Sequence, residues 1–146
     1  MNLDAVALEL ALRGGRTIAI NPTGTSMIPL LRPGSTVMIT GCSAEFVRVG
    51  EIVLFVQGEE CLLHRVVSIE RSDGQLRLIT QGDARDRPDP PVHSSSLLGR
   101  LTSFGGTPSE RLRARVVNRL FVHLPPTGVE RLKKYLVSRH RDHHGA

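Results

Sequence analysis

The chain has no tryptophan, one tyrosine and four phenylalanines. With aromatics at 3 %, the core has to be built from Val, Leu and Ile. Lysine is nearly as scarce. Its two copies, Lys133 and Lys134, both lie in the last fifth of the chain, so everything basic before them is Arg or His. A lysine general base would therefore have to come from the C-terminal segment. The two cysteines, Cys42 and Cys61, have no metal-ligand spacing and read as buried free thiols in a reducing compartment. No run of about 18 apolar residues occurs, so no membrane-spanning helix is expected. Met1-Asn2-Leu3-Asp4 lacks the basic region and long apolar segment of a secretory signal. The expected setting is the cytoplasm.

What is present is ordinary globular composition, 40 % hydrophobic and 23 % charged, in 146 residues, enough for one full domain. The net charge is +5. No aromatic interleaving and no nucleic-acid motif accompanies it, so nucleic acid is not an expected partner. A solvated basic face or an acidic membrane surface accounts for the charge better.

Residues 4–12 are rich in helix formers and closed by Gly14-Gly15, which predicts a short N-terminal helix. Short β-branched runs follow at 17–20, 36–39, 50–56, 61–69 and 76–80, with turns at Gln57-Gly58-Glu59-Glu60 and Arg71-Ser72-Asp73-Gly74. Residues 81–91 form a polar, proline-rich loop, and Val92 to Thr102 gives one last strand. Many short strands with little helix between them predict a mainly β fold, a sheet or partly open barrel. Character changes near Gly105-Gly106-Thr107-Pro108. A helix is expected from Arg111 to Leu124, with Leu112, Val116, Leu120 and Leu124 on one face, and a second from Val129 to Val137. The division is thus 1–106, a β domain with its helix, and 107–146, a basic amphipathic appendage and tail. The appendage reads equally as a pair of helices packed on the sheet and as a hairpin on a membrane surface or partner. His140 to His144 reads as a solvated terminus.

One stretch between strands, Gly24-Thr25-Ser26-Met27-Ile28-Pro29, presents a hydroxyl on a turn. Alone, Ser26 reads as an ordinary turn serine. A serine nucleophile needs a base within hydrogen-bond reach and gains from a group that orients the base. Of six histidines only His64 lies inside a predicted strand between apolar neighbours, and alternation puts it on one face with Leu62 and Val66. A core histidine satisfied by a carbonyl is the competing reading. The loop Gln81-Gly82-Asp83-Ala84-Arg85-Asp86-Arg87-Pro88-Asp89-Pro90 holds three carboxylates. It reads as a solvated turn, a cation site, or the source of the orienting acid.

The order of these motifs resembles that of type I signal peptidases and of the wider serine peptidase clan that includes the self-cleaving SOS repressors. Gly24 to Pro29 with Arg32-Pro33-Gly34-Ser35-Thr36-Val37 is similar to the family's serine box. Residues 50–55 resemble its next strand, Leu63-His64-Arg65-Val66-Val67 its general-base box, and Gly82-Asp83-Ala84 through Val92 its Gly-Asp box. Gly99-Arg100-Leu101 resembles the closing element. The likeness covers roughly residues 16–102, and four motifs in order make it specific. It implies the Ser–His version found in endoplasmic-reticulum and archaeal enzymes, since His64 stands where other members carry Lys. By that resemblance Ser26 is the nucleophile, His64 the base, Asp89 its partner and Asp83 a supporting acid. Thr25 and Met27 flank the oxyanion and substrate site. Gly24 stands where the family's signal peptidases usually carry a hydroxyl residue.

The expected activity is a serine endopeptidase acting on a leader or signal-type peptide, without metal or cofactor, with peripheral membrane contact through the C-terminal basic helices. The alternative is a non-catalytic peptide-binding module on the same fold. A self-cleaving repressor is disfavoured, because about fifteen residues before the first strand are too few for a helix-turn-helix.

Overall fold

β-branched residues pack well on a pleated, half-buried surface, and they set the strands here. A computed structural model describes residues 3–125 together with Arg131 and Lys134. Helix α1 (Leu3–Arg13) is followed by β1 (Thr17–Ile20), β2 (Val37–Gly41), β3 (Ile52–Gln57), β4 (Glu60–Ser72), β5 (Gln75–Gln81), β6 (Val92–His93), β7 (Leu97–Phe104) and helix α2 (Pro108–His123). The strands form one open antiparallel sheet in the order β1-β2-β7-β3-β4-β5-β6. The mainly β class with an N-terminal helix is the architecture expected from the strand spacing.

The final strand is a correction. Val92 to Thr102 is not one strand but two, separated by a helical turn at Ser94–Ser96. β6 pairs with β5 at the sheet edge, whereas β7 lies between β2 and β3. Three consecutive serines interrupt the apolar pattern there, and serine competes with strand pairing through its own hydroxyl. That break lets the chain cross from one side of β3 to the other.

β3 is the centre of the core. Ile52, Val53, Leu54 and Phe55 are all buried. Alternation sends Ile52 and Leu54 to one face, with Val37, Ile39, Leu63 and Leu98, and sends Val53 and Phe55 to the other, with Val66, Leu78, Val92 and Leu97. The first face is closed by Leu12 of α1 and Ala114 of α2. α1 crosses β2 closely: a Cβ at residue 41 would stand 1.7 Å from the Leu12 carbonyl oxygen, so only glycine fits at Gly41.

α2 begins three residues earlier than its apolar spacing suggests. Thr107 and Glu110 form a reciprocal capping box and Pro108 occupies the first turn. The aliphatic row is not the face seated on the sheet. Leu112, Val116 and Leu120 are exposed, while Ala114 and Phe121 are buried and Val117 packs against the core. The reason is Arg65, buried in β4. Asn118 accepts from its Nη1 at 2.8 Å, and its guanidinium lies 5.3 Å from the centre of the Phe121 ring. A buried cation needs these partners more than the sheet needs three further aliphatic side chains. Of the helix expected at 129–137 only Arg131 and Lys134, both helical, are described, and the tail at 140–144 lies outside the described residues.

Candidate active site

Ser26 follows β1 on a turn that the core holds from beneath. Met27, Leu30 and Leu31 are buried, and the Ile28 and Leu31 N–H groups donate to the Thr25 and Met27 carbonyls. The hydroxyl of Ser26 is thus carried on an anchored segment, although the residue lies in a loop. Met27 itself does not reach the cleft. Its side chain is 4 % exposed and its sulfur accepts the Asp83 N–H, which corrects the expectation that it lines a substrate site. Thr25 does line the cleft.

His64 lies in β4 opposite Val53 of β3 and is buried. Its Nε2 is 2.8 Å from Ser26 Oγ and its Nδ1 is 2.6 Å from Asp89 Oδ2. A carboxylate can only accept, so Nδ1 donates to Asp89, and in the neutral imidazole Nε2 presents its lone pair to the Ser26 hydroxyl. The edge of the ring approaches Phe55, with centroids 6.1 Å apart. Asp89 is fixed from two directions by Thr80, the penultimate residue of β5. The Thr80 hydroxyl donates to Asp89 Oδ2 at 2.7 Å, and the Asp89 N–H donates to the Thr80 carbonyl at 2.7 Å. Because β5 pairs with β4, this anchor brings the carboxylate to the imidazole.

Asp83 faces elsewhere. Both of its oxygens accept from Arg65, at 2.9 Å each, and the pair is buried. Arg65 also donates to the Gly50 carbonyl. His64 and Arg65 are consecutive in a strand, so their side chains leave by opposite faces. One loop therefore grips both faces of β4, Asp89 on one and Asp83 on the other. Asp86, with Arg85 and Arg87, stays exposed at the cleft rim. The Arg65–Asp83–Asn118 cluster and Thr80 escaped the sequence reading. An arginine inside an apolar strand run, Leu62 to Val67, was the available signal for the first.

Gly82 is the tightest point. A Cβ there would lie 2.7 Å from the Ser26 carbonyl oxygen and 3.1 Å from His64 Nε2. Gly82→Ala is expected to lower any rate that depends on Ser26 and His64 by about 10²-fold, because misplacing reacting groups by about 1 Å is that costly. Assay of the variant beside its melting curve checks this, and an unchanged rate would show that the loop yields freely.

Thr23, Gly24 and Thr25 and, from β4, Glu60, Cys61 and Leu62 line the cleft, whose volume is about 1030 Å³. Among the described residues Glu60 to Leu62 of β4 are paired only with β3, since the pairing of β4 to β5 begins at Arg65. A larger groove, about 1360 Å³, lies between Leu12, Phe46, Leu76 and Arg100. It contains none of Ser26, His64 and Asp89, so chemistry and not volume selects the smaller cleft. Cys61 is exposed there rather than buried as expected. Partial desolvation, and then the Glu9 carboxylate, push its thiol above the usual range. It is held as the thiol at neutral pH and does not rival Ser26. Alkylation of Cys61 by iodoacetamide near neutral pH, followed by mass spectrometry, is accordingly expected to be slower than that of an unperturbed cysteine. Among the described residues no group of three His, Cys, Asp or Glu side chains is placed to hold a metal, and no helix is long and apolar enough to cross a membrane.

The chain is similar to signal peptidase catalytic subunits. Over 83 residues it is 29 % identical to the signal peptidase complex catalytic subunit SEC11C of Homo sapiens, of Canis lupus familiaris and of Mus musculus. The match covers 55 % of this chain and 43 % of each relative. The chain thus spans less than half the length of the curated relatives it matches. No family model matches it. The relation is a distant homology to that catalytic subunit.

Proposed function

We propose that the chain is a serine endopeptidase that cleaves leader or signal-type peptides. The observation that carries this reading is the continuous line Ser26 Oγ, His64 Nε2, His64 Nδ1, Asp89 Oδ2, with separations of 2.8 and 2.6 Å across its two hydrogen bonds. It has the order of nucleophile, base and orienting acid that acyl transfer requires.

Ser26 Oγ attacks the scissile carbonyl carbon while its proton passes to His64 Nε2. The imidazolium so formed is stabilised by Asp89, whose second tie to Thr80 keeps the ring in its plane. The developing oxyanion is received by the Ser26 N–H. Among the described residues no carbonyl takes that N–H, and Gly24 adds no hydroxyl. Collapse of the tetrahedral intermediate breaks the C–N bond, and the leaving amine takes the proton from His64. Water, deprotonated by the same imidazole, then hydrolyses the acyl ester and frees Ser26. The substrate enters extended between Thr23–Thr25 and the edge of β4, where backbone groups on both walls pair with it. Small side chains are expected next to the cut, by likeness to the signal peptidases.

Incubation of the purified chain with a synthetic leader peptide containing small residues, with product masses read by mass spectrometry, tests the proposal. A single cut after a small residue supports it; an intact peptide under all conditions removes it. The second reading, a non-catalytic peptide-binding module, is favoured by Gly24 at the oxyanion position. It requires that the peptide bind and emerge uncut.

A further inference from the structure

The charge of this chain is divided unevenly. Residues 107–146 hold nine Arg and Lys against three Asp and Glu, a net of +6, while residues 1–106 hold ten against eleven, a net of −1. The entire formal excess of +5 therefore belongs to the C-terminal segment.

α2 is where that charge meets the described fold. Its inward face, Ala114, Val117, Asn118 and Phe121, is used in packing and in holding Arg65. On the opposite face Leu112, Val116 and Leu120 repeat every four residues and are 64, 52 and 42 % exposed. Arg115 and Arg119, exposed, border that row. Arg113 is not part of it, since it turns inward to the Pro29 carbonyl, and Arg111 turns back to the Gly106 carbonyl.

Apolar row and basic border constrain the partner together. A nucleic-acid backbone would satisfy the arginines and leave the row in water. An apolar groove on another protein would cover the row and leave the net positive segment uncompensated. An anionic lipid interface accommodates both, because headgroup phosphates take the guanidinium groups while the aliphatic side chains enter the boundary with the acyl chains. We propose that α2 is a peripheral anchor, laying Leu112, Val116 and Leu120 into an anionic bilayer surface with Arg115 and Arg119 on the lipid phosphates. The helix lies along the interface and does not cross it. This is independent of the catalytic reading, since these five side chains take no part in the Ser26 cleft.

The full chain is sedimented with sucrose-loaded vesicles of phosphatidylcholine, with and without phosphatidylglycerol. Wild type is expected to pellet with the anionic vesicles and to remain largely in the supernatant with the neutral ones. Replacement of Leu112, Val116 and Leu120 together by Ser is expected to lower the partition coefficient about tenfold or more. Arg115→Glu with Arg119→Glu is expected to lower it at least about tenfold, and the loss to be reproduced by added salt. Circular dichroism confirms that each variant is folded. Should the triple variant unfold, the arginine pair decides the matter. Equal pelleting with both vesicle types, or variants that pellet as wild type does, overturns the proposal. So does a wild-type dimer in light scattering that becomes a monomer in the triple variant, because the row would then belong to a second copy of the chain.

Discussion

Ser26→Ala is expected to reduce cleavage of a leader peptide by about 10³- to 10⁶-fold, the range typical of a lost nucleophile that acts as part of a unit. The fold should not suffer. Ser26 is only partly buried, and among the described residues its side chain is bonded to His64 alone. The informative comparison is with His64→Ala and with the double variant. If hydroxyl and imidazole act as one device, each single variant loses about as much as the double. Additive losses would mean that the two groups serve separate steps. Asp89→Asn belongs to the same series, because an amide can donate to Nδ1 and so stabilise the wrong tautomer. Its loss is expected to fall at about 10²- to 10⁴-fold, with the melting temperature little changed. Activity retained in both Ser26→Ala and His64→Ala would remove the proposed mechanism altogether.

The second large effect is one of stability. Asp83→Ala leaves the guanidinium of Arg65 buried without its bidentate partner, a change that costs about 3–5 kcal/mol. For a chain of this size that corresponds to a fall of roughly 6–20 °C in melting temperature. Arg65→Ala strands the opposite charge and is expected to cost about as much. Arg65→Met combined with Asp83→Leu is expected to be milder than either single change, since neither charge is then left alone. High salt should alter these differences little, because a buried pair is poorly screened. Asn118→Ala removes one further acceptor from Arg65 and is expected to cost about 1–3 kcal/mol. Thermal unfolding of the four variants checks the set. Losses below about 1 kcal/mol in both single variants would show that water reaches the pair. Because Asp83 is adjacent to Gly82, which touches Ser26 and His64, a rate loss in Asp83→Ala has to be measured well below its melting temperature.

Most of the strands were legible because burial on both faces of β3 and β4 demands β-branched and aliphatic residues in short runs, and the turns between them are marked by Gly, Asp and Ser. Ser26 and His64 were legible through the order of their motifs. That Asp89 partners His64 rested on the likeness of the motifs and not on the loop's own pattern. Asp83 and Asp89 share one loop, and no periodicity applies to a loop. The pairing depends on Thr80, whose hydroxyl and carbonyl hold Asp89 from the end of β5. The seated face of α2 stayed open for a related reason. Sequence periodicity selects the row with the largest aliphatic side chains, Leu112, Val116 and Leu120. The helix instead turns to the face bearing Asn118 and Phe121, which Arg65 requires. The capping signal Thr107-Pro108-Ser109-Glu110 was present in the chain and would have moved the helix start to its observed place.

The residues alone therefore determined the mainly β class, the extent of most strands, the aliphatic core and the candidate nucleophile and base, because each rests on local pattern or on a short motif. Tertiary structure decided three things: that Val92 to Thr102 divides between two distant positions in the sheet, that Asp89 and Asp83 leave by opposite faces of β4, and that α2 keeps its aliphatic row outward. The last two depend on where a polar group taken out of water finds its partner, and the first on the pairing of β7 between β2 and β3, which no local pattern encodes.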